Sequence, residues 1–281
     1  MIPILGGLGA AAAWAAATLC ASRASRMIGS GSTLGWVMLL GLVVTAPLAL
    51  ATGVPPGLDA TSAGWLTVLG LGSVLGLGLA YAALRIGKVG VVAPIVSTEG
   101  AIGAMIAVVA GERIAPGAGA MLGIIVIGVV LASVAPDPGG STRQRGRAAL
   151  LAIGAAVLFG VSLYAAGRAG EDLPVAWVLL PSRVVGLVAV VLPLLVAGKL
   201  QMTAKSLPLV VIGALAEIGG LAAFTLGARE GIAISVVIAS QYAAFAALGA
   251  YLLFRERLTP LQVTGVAAIA GGVAALSALT A

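Results

Sequence analysis

The chain has 281 residues, of which 61% are hydrophobic and only 9% charged, and its mean hydropathy is +1.19. Soluble domains are roughly a quarter charged, so 15 basic and 9 acidic side chains cannot solvate a globule of this length; the chain reads as a membrane protein. The net charge of +6 does not indicate nucleic acid, because the basic residues stand singly or in pairs, with no aromatic-interleaved patch.

A spanning helix needs ~20 apolar residues, so this length accommodates about ten spans and no separate soluble domain. The first predicted span covers about 2–22 and ends at Ser22-Arg23 to Ser30. No basic n-region precedes it, so it reads as a retained helix rather than a cleaved signal peptide. The second covers about 34–53, closed by Gly53-Val54-Pro55-Pro56, and the third about 62–84, ending at Arg85 and Lys88. The fourth, about 89–110, stops at Gly111-Glu112-Arg113. The fifth, about 117–134, runs into Pro136-Asp137-Pro138-Gly139-Gly140-Ser141-Thr142-Arg143, a segment of linker composition at the chain's midpoint. Five more follow at about 148–167, 174–197, 207–228, 232–254 and 260–280.

The two sides of the linker resemble each other. A shift of 144 pairs Arg85 with Arg229, Gly87 with Gly231, Glu112-Arg113 with Glu256-Arg257, and Pro116 with Pro260. It also pairs Gly76-Leu77 with Gly220-Leu221, while a shift of 145 pairs Gly9-Ala10-Ala11 with Gly154-Ala155-Ala156 and Arg23 with Arg168. Charges are scarce here, so matches between them are informative. The expected organisation is a five-helix repeat over 1–134, a linker over 135–147 and a second five-helix repeat over 148–281. Five is odd, so the second half enters the membrane from the opposite side. The predicted fold class is an all-α integral membrane protein, ten transmembrane helices as two inverted five-helix repeats around a central cavity.

Loops after the odd-numbered spans carry Arg23, Arg26, Arg85, Lys88, Arg143, Arg145, Arg147, Lys199, Lys205, Arg255 and Arg257; the other loops carry Arg113, Arg168 and Arg229. The positive-inside rule makes the first set cytoplasmic and puts both termini outside.

Charges near the bilayer centre cost roughly 2.5–3.5 kcal/mol on insertion scales. Three qualify: Glu99 and Glu217, each about midway along its span, and Arg183. Glu99 follows Pro94 in Ala93-Pro94-Ile95-Val96-Ser97-Thr98-Glu99-Gly100. A proline here predicts a broken or kinked helix, and Ser97 and Thr98 add polar groups. Glu99 is then either a proton- or substrate-binding carboxylate or a protonated structural one. Glu217, among small residues, either faces the cavity or bonds a neighbouring helix; its repeat-equivalent is Ser73. Arg183 either pairs with one of these carboxylates or snorkels to the interface. Gln241 and Tyr242 match Ser97-Thr98-Glu99 in the other half, and Trp14, Phe159 and Tyr164 are candidate cavity aromatics.

No catalytic arrangement is present. The single cysteine, Cys20, and the lack of His exclude an internal disulfide, the common nucleophile systems and the usual metal clusters. No GxxxxGK[ST] motif indicates an ATP site, and no cofactor is expected. The expected partners are a small-molecule substrate, the lipid bilayer and, in the coupled reading, protons; the chain is a monomer or a homodimer.

Gly111-Glu112-Arg113-Ile114-Ala115-Pro116 and Arg255-Glu256-Arg257-Leu258-Thr259-Pro260, each opening the last helix of a half, resemble the drug/metabolite transporter superfamily, EamA branch. Tyr81-Ala82-Ala83-Leu84-Arg85 and Ser97-Thr98-Glu99-Gly100 are similar to two further segments of that family, with Gly100 where proline is usual. The resemblance implies transport of amino acids, other metabolites, nucleotide-linked compounds or drugs, and termini in the cytoplasm, opposite to the charge count. The leading expectation is a secondary transporter of the cell membrane, not an enzyme. It would move a small polar metabolite, amino acid-like or cationic, outward and coupled to protons. The alternatives are an uncoupled facilitator, a multidrug cation exporter and a non-transporting scaffold.

Overall fold

The computed structural model describes residues 2–110, 117, 120–121, 123–124, 127–128, 131, 142–229, 235, 238–255 and 258–280. Among these the secondary structure is helical, without a strand. In chain order the helices are α1 (Ile2–Ile28), α2 (Ser30–Thr52), α3 (Ala60–Ile86), α4 (Val89–Val96), α5 (Glu99–Val109), α6 (Thr142–Asp172), α7 (Val175–Gly186), α8 (Leu192–Val196), α9 (Leu207–Ala228), α10 (Tyr242–Phe254) and α11 (Pro260–Thr280). A π-helical turn, Leu187–Val191, joins α7 to α8. Among the described residues six stretches are long and apolar enough to cross a membrane: Leu5–Ile28, Ser30–Thr52, Ala60–Ile86, Arg143–Asp172, Val175–Val196 and Leu207–Ala228. Shorter apolar helices cover Val89–Gly103, Ile238–Phe254 and Val263–Gly272.

The helix ends differ from the sequence expectation where distant groups stabilise extra turns. Expected to stop near residue 22, α1 continues to Ile28. Ser22 and Ser25 are buried there, and the Arg26 guanidinium donates to the carbonyls of Leu84 at 3.4 Å and Gly87 at 2.7 Å, capping α3. A cation at a helix C-terminus satisfies carbonyls that lack an intrahelical donor. The loop after α1 contracts to Gly29, whose φ of +83° suits glycine. Residues 142–147, assigned to the linker by composition, are the opening turns of α6; residues 135–141 lie outside the described residues. So do Glu112-Arg113, Glu256-Arg257 and most of the predicted fifth span.

The start of α3 is built locally. The Asp59 carboxylate accepts from the Ser62 backbone N–H at 2.7 Å, and the Ser62 hydroxyl accepts from the Asp59 N–H at 2.8 Å, a reciprocal capping box. The bond from Ser62 holds the Asp59 carboxyl below its ordinary value. The ionised cap is therefore complete at neutral pH and is lost as pH falls through that lowered value.

In the interior α1 packs chiefly along α9 and α3 along α6, with α2 against α7 and α4 against α10. Two glycines permit close approach of aromatic rings. A Cβ at Gly76 of α3 would stand 2.7 Å from the Phe159 ring of α6, and a Cβ at Gly220 of α9 would run into the Trp14 ring of α1. Each aromatic ring lies close against backbone, where any larger residue would run into it.

Other contacts sort the charges. Arg23 lies 5.8 Å over the Phe254 ring, Ser32 donates to the Lys199 carbonyl and Trp36 to Gln201, so the loops after α1, α8 and α10 share one end of the bundle with the Arg26 cap. At the other end Arg229 donates to Leu173 at 2.8 Å, Arg168 pairs with Glu171 at 3.0 Å and Trp177 donates to Gly53.

Gly76→Ala and Gly220→Ala should each lower stability by about 1–3 kcal/mol through overpacking against a rigid ring. Chemical denaturation of the purified protein in detergent measures this; a Gly219→Ala control, where a Cβ meets nothing within 4 Å, should be nearly silent.

Candidate functional site

A cavity of about 100 Å³ lies between α1, α3, α4, α5, α6, α9 and α10. Its polar groups come from Thr18, Ser73, Tyr81, Glu99, Ser162, Glu217 and Tyr242, and its walls are otherwise apolar, with the Trp14 and Phe159 rings among them.

Glu99 reaches the cavity because its span is broken. Pro94 brings no N–H to the helix ladder, and α4 ends at Val96. Ser97 and Thr98 form a turn held by three-residue bonds, Thr98 N–H to Ile95 at 3.2 Å and Gly100 N–H to Ser97 at 3.4 Å. Their hydroxyls donate to the Pro94 and Ile95 carbonyls, each at 2.8 Å, reinforcing the interrupted ladder. Glu99 opens α5, where the positive end of the helix favours a carboxylate. It is buried at 5% exposure. Among the described residues no group hydrogen-bonds or ion-pairs with its carboxyl.

The other half has a similar interruption. Residues 238–240 are helical, Gln241 is a turn, and Tyr242 opens α10. Tyr242 lines the cavity and meets the Trp14 ring edge-on, centroids 6.2 Å apart at 84°. Trp14 also packs against Phe224 at 6.0 Å.

Arg183 does not snorkel. It is fully buried, and its Nη2 forms an ion pair with Glu217 Oε2. Gly41 makes the room: a Cβ there would lie 2.7 Å from Arg183 Cδ. Arg183 Nη1 stands 3.7 Å from Met38 Sδ, and its buried Nε finds no acceptor among the described residues. Glu217 reaches the cavity while Arg183 stays behind its wall. Tyr81 is within electrostatic reach of both.

Of the residues singled out in the sequence, the cavity therefore brings together Glu99, Glu217, Tyr242 and Trp14, with Phe159. Ser97, Thr98 and Gln241 sit at the two helix breaks, off the lining. Tyr164 stands away and meets Trp65 edge-on at 5.7 Å. The cavity adds Tyr81, Ser73, Thr18 and Ser162. Ser73, Leu77 and Tyr81 recur every four residues on α3, a single helical stripe, and this spacing was the available signal for Tyr81.

A helical multi-pass membrane protein with a buried carboxylate-bearing cavity is the class these features define. Residues 1–134 match the model of the EamA-like transporter family, which falls in the drug/metabolite transporter superfamily. No curated protein sequence matches it. Among solved structures it is similar to one described only as the crystal structure of a protein, with a TM-score of 0.66 and 20% identity over 99% of this chain and 96% of the other. That likeness shows the fold alone.

Removing one member of the Arg183–Glu217 pair leaves a buried charge without its partner, a loss of ~3–5 kcal/mol, whereas replacing both with uncharged residues costs far less. Arg183→Met should therefore unfold well below the wild type, and Arg183→Met with Glu217→Ser should recover most of the difference in the melting temperature.

Proposed function

We propose that the chain is a secondary-active transporter of the cell membrane that moves a small cationic or amino acid-like metabolite outward in exchange for protons. The observation that carries this reading is Glu99. It heads a half-helix at a break, faces the cavity and has no cationic partner among the described residues, whereas Glu217 is already neutralised by Arg183. A carboxylate so placed takes up either a proton or the substrate's positive charge, and that competition is the coupling. Trp14, Tyr81 and Tyr242 supply aromatic faces suited to an organic cation. Ser97, Thr98 and Gln241 shape the two breaks that present Glu99 and Tyr242, and Tyr164 supports the packing behind α6.

We assign ten spans as two inverted repeats, 1–134 and 148–281, joined by 135–147. Reciprocal packing supports this assignment. Trp14 sits on Gly220 as Phe159 sits on Gly76, and Met38 sits on Gly186 as Arg183 sits on Gly41. Each pair exchanges into the other under a shift of 144 or 145 residues. In this reading the basic end of the bundle is cytoplasmic and both termini are outside; a C-terminal reporter fusion active only in the cytoplasm would overturn that orientation.

Purified protein in proteoliposomes tests the coupling. Glu99→Gln should reduce flux driven by a pH gradient by at least about tenfold, the scale of one lost charge interaction. Undiminished gradient-driven flux in this variant would exclude Glu99 as the coupling group. An uncoupled facilitator predicts equilibrative exchange that ignores the gradient, and a scaffold predicts no flux.

A further inference from the structure

The cavity is lined by two carboxylates, of which, among the described residues, only Glu217 has a cationic partner. Glu217 contributes its carboxyl to the lining, and Arg183, fully buried behind the wall, cancels it. Packing does not call for this arrangement. In the other half, positions 38 and 73 correspond to Arg183 and Glu217 under the same shifts, and they hold Met38 and Ser73. Met38 fills the space over Gly186 as Arg183 fills that over Gly41. One half thus builds the same seat with an uncharged thioether and a hydroxyl. A buried ion pair seldom exceeds well-packed apolar residues in stability, so its contribution lies elsewhere. Apart from the Thr18, Ser73 and Ser162 hydroxyls, the remaining wall is aromatic and aliphatic, with Trp14, Tyr81, Phe159 and Tyr242 sharing the lining with Glu99, complementary to one positive charge on an organic skeleton.

We infer that the Arg183–Glu217 pair sets the cavity to a single negative charge and so makes it select singly charged organic cations over dications. The inference rests on Glu99 being the substrate carboxylate. A second ammonium on the ligand would be stripped of water with no free carboxylate to receive it, a cost that grows with burial.

Butylamine and 1,4-diaminobutane share a carbon skeleton and differ by one charge, so their binding to the purified full-length chain at neutral pH reads the effect directly. The wild type should favour butylamine by at least about tenfold. Arg183→Met frees Glu217 and should reverse the preference toward the diamine. Glu217→Gln leaves Arg183 uncancelled and should weaken both ligands. The double variant Arg183→Met with Glu217→Ser has one carboxylate again and should return the preference to butylamine. A preference ratio that stays the same in the four proteins overturns the inference, and so does Glu217→Gln binding butylamine as tightly as the double variant. That second comparison decides the matter even where Arg183→Met alone does not fold. Glu99→Gln separates the two levels: butylamine binding unchanged by it overturns the Glu99 reading itself, whatever the ratio does in the other variants.

Discussion

A charge inside a membrane protein has no water to solvate it, so it must be partnered or it must be in use. Arg183 meets that constraint through Glu217, and much of the surrounding geometry follows. Gly41 lacks a side chain where the arginine stem passes, and Met38 presents its soft sulfur to Nη1. Met38 in turn rests against Gly186 on the same helix as Arg183, so α2 and α7 are locked by two side chains crossing over two glycines. The ion pair is thereby held between α7 and α9, and only its carboxylate end shows in the cavity.

Glu99 satisfies the same constraint differently. The break after Val96 gives it the N-terminus of α5 instead of a basic side chain, and the Ser97 and Thr98 hydroxyls compensate the interrupted ladder so that the break is affordable in a dry interior. A carboxylate stabilised by backbone dipoles alone can exchange its proton or accept a visiting cation without first dissolving a salt bridge. Glu217 cannot do so at comparable cost. The two cavity carboxylates thus differ in their partners, although residue type does not distinguish them, and the proposed difference in role follows from that.

The sequence alone revealed features that depend on neighbours along the chain. Pro94 announced the break that turns Glu99 to the cavity, and apolar runs located the long helices. Features that depend on distant partners were not legible. The last turn of α1 rests on carbonyls 58 and 61 residues away from Arg26, and the choice between Glu99 and Glu217 as partner of Arg183 was left to packing. Tyr164 and Trp14 look alike as helical aromatics, yet Trp65 draws the first from the cavity while Tyr242 holds the second in it. Tyr81 stood out only as part of a family-like segment and not as a cavity residue, because its stripe with Ser73 and Leu77 is visible only once a cavity gives that face of α3 a meaning.

Alternating access requires two states close enough in energy for a ligand or proton to choose between them, and a ligand shifts that balance only by binding the two states unequally. In the proposed transporter, reciprocal seats, an aromatic ring on a glycine in one direction and its counterpart in the other, would supply near-equivalent packing for either tilt of the halves. Glu99, Glu217 and Arg183 break that equivalence, because the positions matching them hold Ala243, Ser73 and Met38. In the proposed transporter the packing that would let the bundle rock is therefore shared between the halves, while the charges that would decide when it rocks are not, and substitutions in the two sets should separate stability from selectivity.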